Sequence, residues 1–269
     1  MTPQNDNWGN RARIGMYIVG SEAVPEAEWW AMLPPNVSIH AARITAPAPW
    51  ATWLEDRAGL KVADDLARGT QQFASMRLSV VVVGHSSSSF VGGKGWDEAA
   101  VQHIHNRLNV HGDGEPQVIV TTNGLDTMAA LRASSVRRPF LIMPPWFNDK
   151  TAQSGVRYYE AHGFEPAGYL CHDPGPKWNN LPAADLYPLG FGFEQEIEPL
   201  YAQILAACPS AADGILIAGT GFRCVAILAA LERELERPVL SANQASLWHC
   251  LRLAGVSDNI PGYGNLLFL

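Results

Sequence analysis

The chain has no strongly basic stretch. Its longest basic pair is Arg137-Arg138, and the formal net charge is −7. Nucleic-acid binding needs a basic face that neutralises phosphates, so no nucleic-acid partner is expected. No apolar run approaches the length of a membrane span, and the polar start, Met1 to Arg13, lacks the apolar core of a signal peptide. These absences predict a cytoplasmic protein with no membrane partner. Cysteine is scarce: Cys171, Cys208, Cys224 and Cys250 are the only four, none in CxxC spacing and none beside a histidine in a zinc pattern. Most have apolar neighbours, as small buried thiols do. No metal is expected. Charged residues are only 17% against 47% hydrophobic, an ordinary globular balance, and 269 residues suffice for one large domain or two small ones.

What is present is alternation. Short β-branched runs (Ile14–Gly20, Val37–Ile44, Ser79–Gly84, Gln117–Thr122, Phe140–Pro144, Pro166–His172, Gly214–Gly219, Val239–Asn243) read as strands. Helix-period segments lie between them, at Glu55–Met76, Trp96–Asn109, Gly124–Ser134, Lys150–His162, Glu194–Ala207, Cys224–Arg237 and Gln244–Ala254. The strands are apolar throughout, as when helices cover both faces of a parallel sheet. The fold class is α/β, and ligands of such folds bind beyond the carboxyl ends of the strands.

Two strand-to-helix turns there stand out. Val81-Val82-Val83-Gly84-His85-Ser86-Ser87-Ser88-Ser89 runs from a buried-type strand through small hydroxyl residues into a helix. Its N–H groups, hydroxyls and helix start suit a carboxylate or a developing oxyanion. His85 is the one side chain in it that exchanges a proton near neutral pH. Gly214-Ile215-Leu216-Ile217-Ala218-Gly219-Thr220-Gly221-Phe222-Arg223 repeats the pattern. Alone, each reads equally well as an ordinary turn; as a pair they suggest two similar halves facing one cleft. Polar residues at other junctions (Ser21 and Glu22, Thr121 to Asn123, Trp146 to Asn148, Ser241, Asn243 and Gln244) would line it. Asp173–Gly192, rich in proline and aromatics, reads as a plain surface connection, with a lid as the alternative. His103, His105 and His111 cluster near a helix end without metal-ligand spacing.

Further stretches carry a family likeness. Arg13-Ile14-Gly15, Val37-Ser38-Ile39-His40-Ala41-Ala42-Arg43, the long run from Ser241 through Gly255, and Pro261-Gly262-Tyr263-Gly264 resemble the Asp/Glu racemase superfamily, nearest to its maleate cis–trans isomerase and arylmalonate decarboxylase branch. The last two are the specific ones. The resemblance implies two pseudosymmetric, flavodoxin-like subdomains, here 1–116 plus 238–269 and 117–237, with the site in the cleft between them and no cofactor. It implies a small-molecule carboxylate or carbonyl substrate. Homo-oligomerisation is left open. The family sets two cysteines across the substrate; by resemblance these positions fall on His85 and on Gly219 or its neighbour, so both thiols are missing. Trp146 stands where a tyrosine is expected, and Gly20-Ser21-Glu22 replaces a loop carrying asparagine.

One proton carrier fits a one-sided reaction, so the expectation is a cofactor-independent lyase of the decarboxylase type. His85 would move the proton, Ser86, Ser87 and Thr220 would hold the charge, and Ser21, Glu22, Asn123, Trp146, Gly219, Gly221, Phe222 and Asn243 would contact substrate. The alternatives are a maleate-type isomerase with His85 as nucleophile, a serine-type hydrolase at Ser86 in a near G-x-S-x-G setting, and a non-catalytic binder of small anions.

Overall fold

The computed structural model describes residues 8–109 and 117–269. Ten strands form: β1 Ala12–Val19, β2 Val37–Ile44, β3 Ala51–Trp53, β4 Leu60–Val62, β5 Val80–Val83, β6 Ile119–Thr122, β7 Pro139–Met143, β8 Gly168–Cys171, β9 Gly214–Ile217 and β10 Val239–Ser241. They build one parallel sheet in the order β2-β1-β5-β6 and a second in the order β10-β9-β7-β8, with β3 and β4 as an antiparallel hairpin. Counted within its own half, each sheet has the order 2-1-3-4. That is the pseudosymmetric, flavodoxin-like arrangement expected, and the order reverses between β1 and β5 and between β7 and β9. A crevice opens at such reversals.

The apolar runs explain the sheets. Val80 to Val83 are at most 1% exposed, with helices on both faces. Ile14, Met16, Ile18, Val80 and Val82 face the larger core, and Tyr17, Val81 and Val83 the smaller. Each such side chain contributes roughly 1.5–3 kcal/mol on burial.

The helices are α1 Val24–Met32, α2 Asp64–Ala74, α3 Ser86–Gly92, α4 Trp96–Leu108, α5 Asn123–Ala133, α6 Asp149–Ala161, α7 Ala183–Leu186, α8 Phe191–Glu194, α9 Ile197–Ala207, α10 Leu228–Leu235 and α11 Ala242–Leu253. Several differ from the sequence reading, among them the short α7 and α8 in a stretch read as a connection. Glu55–Met76 is not one helix: Asp56 and Arg57 sit at φ 56° and Gly59 at φ 154°, turning the chain into the β3–β4 hairpin before α2 begins. The Cys224–Arg237 segment opens with a short 3-10 turn and is α-helical only from Leu228. Helix α1, with proline in its first turn, was not anticipated.

The sheets also divide the chain differently from the boundaries 1–116 plus 238–269 and 117–237. β6 pairs with β5 in the first sheet, and β10 pairs with β9 in the second. Helices cross between the halves: α11 packs on α1, β5 and β6, while α5 follows β6 of the first sheet and reaches β10. No helix among the described residues is long and apolar enough to cross a membrane.

Candidate active site

Four loops meet at the two order reversals: Gly20–Glu22 after β1, Gly84–Ser86 after β5, Pro144–Phe147 after β7 and Ala218–Phe222 after β9. Side-chain bonds show that they touch. Gly219 N–H donates to Ser86 Oγ at 3.3 Å, and Thr220 Oγ1 donates to the Gly84 carbonyl at 3.1 Å. The two turns singled out in the sequence therefore close on each other across the halves.

In the first turn, the His85 ring stacks on Trp50 with centroids 4.1 Å apart. Its Nδ1 lies 2.9 Å from Ser88 Oγ, which already accepts the Trp50 N–H at 2.9 Å. With Ser88 free to donate to Nδ1, the neutral ring carries its proton on Nε2 when that bond runs from serine to imidazole. Nε2 has no hydrogen-bond partner among the described residues and is not sealed off. Burial pushes the imidazole down to about 3, so the ring is neutral at neutral pH. A neutral ring held this way can serve as a hydrogen-bond donor through Nε2. Ser86 Oγ donates to Asn123 Oδ1 at 2.6 Å, which commits its proton. It is no nucleophile elbow, because no imidazole contacts it; His85 bonds Ser88, and His249 bonds Asp126. The Ser87 hydroxyl, half-buried, makes no hydrogen bond among the described residues.

In the second turn, Gly219 has φ +90°, and a Cβ there would lie 2.8 Å from Pro144 Cγ. A cysteine at this position is excluded by both backbone and space. The Thr220 carbonyl accepts Asn243 Nδ2 at 2.8 Å, and Asn243 Nδ2 also donates to Glu28 Oε2 at 2.6 Å. Glu28 Oε1 in turn accepts the N–H of Cys224 at 2.6 Å and of Val225 at 2.9 Å. Asn123 Nδ2 donates to the Ala242 carbonyl and to Ser246 Oγ, both at 2.9 Å. Asn123 and Asn243, expected to contact substrate, are buried and hold the turns in place. The amide N–H groups of Ser86, Ser87, Thr220 and Gly221 meet no acceptor among the described residues.

Glu22 is 5% exposed, and Thr220 Oγ1 stands 3.3 Å from its Oε2. Burial pushes its carboxyl up to about 8, against smaller opposing effects from Thr220, Val19 and Arg43. Ser21 beside it is exposed. Trp146 is half-buried and packs edge-on against Phe147, Tyr187, Phe191 and Phe222. Phe222 is fully buried behind it, a support rather than an open wall.

The 173–192 segment is not a plain surface connection. Trp178, Leu186 and Phe191 form a small core against Trp146, and a Cβ on Gly221 would lie 2.7 Å from the Tyr187 hydroxyl. The segment roofs the second turn. Tyr187, Trp50 and Glu28 were not picked out from the sequence. Aromatics in a proline-rich loop were the available signal for Tyr187; His85, on which Trp50 stacks, and Cys224, which Glu28 holds, are 35 or more positions away from them.

Among the described residues no three or more His, Cys, Asp or Glu side chains group to hold a metal ion; His111 lies outside those residues. Cys224 and Cys250 are buried, and burial pushes both thiols well up, so neither supplies a thiolate.

Known proteins bear on this arrangement. The fold is shared with a maleate cis-trans isomerase from Nocardia farcinica at TM-score 0.75 and 20% identity, covering 95% of this chain and 97% of that one. A maleate isomerase from Pseudomonas putida S16 matches at TM-score 0.76 and 17% identity, over 95% and 98% of the two chains. An arylmalonate decarboxylase matches at TM-score 0.71 and 21% identity, again over 95% and 98%. A search of curated proteins finds no match. The arylmalonate decarboxylase family matches residues 54–267, which take in both turns, the roof and the closing helix, so this chain belongs to the arylmalonate decarboxylase family and is accordingly an enzyme.

Proposed function

We propose that this chain is a cofactor-independent decarboxylase-type lyase, acting at a carbon next to a carboxylate through an enediolate-like intermediate. The observation that supports the reading is the meeting of the two turns, Gly219 on Ser86 and Thr220 on Gly84, which draws together two segments whose four amide N–H groups have no acceptor among the described residues. A carbanion beside a carboxylate is too basic to form in water at useful rates. Preorganised N–H donors lower that barrier by spreading its charge over oxygen, about 3 kcal/mol for each donor. The neutral His85 Nε2–H adds a further donor. Hydroxyls of Ser86 and Thr220 act indirectly, by fixing the turns. The half-buried Trp146 beside the site offers an aromatic neighbour in which a departing carboxylate is poorly solvated. An aryl-bearing malonate, the substrate class in the name of the family, has the matching chemistry.

The rival chemistries have less behind them. Nucleophilic addition by His85 needs a free lone pair, and the ring offers Nε2–H outward and an engaged Nδ1. Acyl transfer at Ser86 lacks a base. The test is carbon dioxide release from phenylmalonate and its α-methyl analogue, with maleate alongside. Release from the malonates is expected. Thermal stabilisation by these dicarboxylates with no release from any would overturn the reading in favour of a binder.

A further inference from the structure

The decarboxylase reading leaves its last step without an agent. Loss of carbon dioxide leaves an electron pair on the α-carbon, and that carbon must gain a proton. Both family cysteine positions lack sulfur, and the His85 ring is neutral with its Nε2–H too weak an acid to give up.

Glu22 is placed to do this. It follows β1, and its carboxyl lies against the second turn. A Cβ on Gly221 would fall 2.6 Å from Glu22 Oε1, so this oxygen sits directly on the turn whose Thr220 and Gly221 amides meet no acceptor among the described residues. The hydrogen bonding around Thr220 speaks to its protonation. The single hydroxyl proton of Thr220 faces two acceptors, the Gly84 carbonyl at 3.1 Å and Glu22 Oε2 at 3.3 Å. A carbonyl can only accept. A protonated carboxyl accommodates both contacts, by donating to Thr220 Oγ1 while Thr220 donates to the carbonyl; an ionised carboxylate has to share the single Thr220 proton with it.

Charges nearby do not undo this. Arg43, on β2, ion-pairs with Glu26 of α1 and donates to the backbone carbonyl of Glu22 at 2.6 Å, leaving the Glu22 carboxyl itself without a salt bridge. Glu28, also on α1, is a second buried acid, facing Arg223, and Tyr187 from the roof stays neutral, pushed up by burial and by Glu22 and Glu28. With its carboxyl raised by burial to about 8, Glu22 holds a proton at neutral pH and can still lose it.

We propose that Glu22 is the catalytic acid of this enzyme, a neutral carboxylic acid over Thr220 and Gly221 that protonates the α-carbon after carbon dioxide has left. This rests on the decarboxylase reading. The bond to the leaving carboxylate breaks, its electron pair stays with the α-carbon and spreads onto the retained carboxylate, and carbon dioxide departs. The α-carbon then forms a C–H bond with the Glu22 proton. The Glu22 carboxylate regains a proton from water, which closes the cycle.

The test compares wild-type protein with Glu22→Gln, which keeps the shape and can donate to Thr220 but has no proton to transfer. Three readouts are taken: the pH profile of kcat/KM for carbon dioxide release from phenylmalonate, the enantiomeric purity of the product from α-methyl phenylmalonate, and α-hydrogen exchange of the arylacetate product in deuterium oxide. The expected results are a basic limb in the wild-type profile, and in the variant a loss of about a hundredfold or more together with an erosion of enantiomeric purity as water becomes the donor. Equal rate and equal purity in the variant overturn the role of Glu22 and leave the decarboxylase reading standing. Exchange that needs Glu22 without any carbon dioxide release sinks the decarboxylase reading and supports the role. Neither release nor exchange in wild type overturns both. Should the variant not fold, a wild-type profile flat through the basic range overturns the role by itself.

Discussion

Replacing Ser86 with alanine tests whether the two halves are held together as described. Ser86 is 1% exposed, and its hydroxyl is the sole link between Asn123 Oδ1 at 2.6 Å and Gly219 N–H at 3.3 Å. Its removal leaves a buried acceptor and a buried donor unpaired, each costing about 1–3 kcal/mol. Alanine regains about 0.5 kcal/mol as a helix former at the start of α3. The net loss is about 1.5–5.5 kcal/mol, which lowers Tm by roughly 3–20 °C in a chain of this size. Circular dichroism melts and urea midpoints measure it. Ser87→Ala is the internal control: its hydroxyl has no described partner, so stability should move by less than about 0.5 kcal/mol. Combining Ser86→Ala with Asn123→Ala should destabilise less than the sum of the two, by about 1 kcal/mol, because the shared bond is lost only once. A Tm for Ser86→Ala within about 2 °C of wild type refutes the bridge.

Other consequences are simpler to state. Gly219→Ala should destabilise by about 2–4 kcal/mol in thermal melts, since the φ of +90° disfavours any side chain and the Cβ meets Pro144 Cγ at 2.8 Å; a neutral outcome contradicts the tight second turn. The His85 ring should stay neutral well below its ordinary range in nitrogen NMR, with the proton on Nε2. Between about 3 and 6.5 the unfolded chain binds a proton at His85 that the folded chain does not, so His85 contributes stability that falls as pH drops through that window; loss of this slope in His85→Asn checks it. For Glu22 the sign is opposite. Its folded value of about 8 exceeds the unfolded 4.5, so the folded chain holds the extra proton and stability falls as pH rises through that window. Melts of wild type against Glu22→Gln should diverge in that sense, and parallel curves contradict a buried neutral acid.

Much of this was legible from residue order. Eight apolar runs gave both four-stranded parallel sheets, because strands covered on both faces need no alternation to announce themselves. The two small-residue turns were found for a sound reason: turns at strand ends that approach each other closely exclude bulky side chains. What the residues do there was less visible. His85 reads as a proton carrier, and the stacking of Trp50 on its face is not visible there, because Trp50 leads into a hairpin whose neighbours 55–76 look like one helix in the chain. Asn123 and Asn243 read as ligand contacts, yet their partners Ala242, Ser246, Glu28 and Thr220 are set by tertiary packing. Glu22 was marked as a changed loop, but its neutrality follows from burial and fits the two-acceptor position of Thr220, which no local pattern encodes. Tyr187 needed the roof segment to be seen folded onto Gly221.

The most direct test is a crystal structure with an arylacetate, the product-type monocarboxylate, bound. The account predicts carboxylate oxygens within hydrogen-bonding distance of the Ser86–Ser87 and Thr220–Gly221 amides, with the α-carbon facing Glu22. A carboxylate bound away from both turns, or turns parted so that Gly219 no longer meets Ser86, contradicts it.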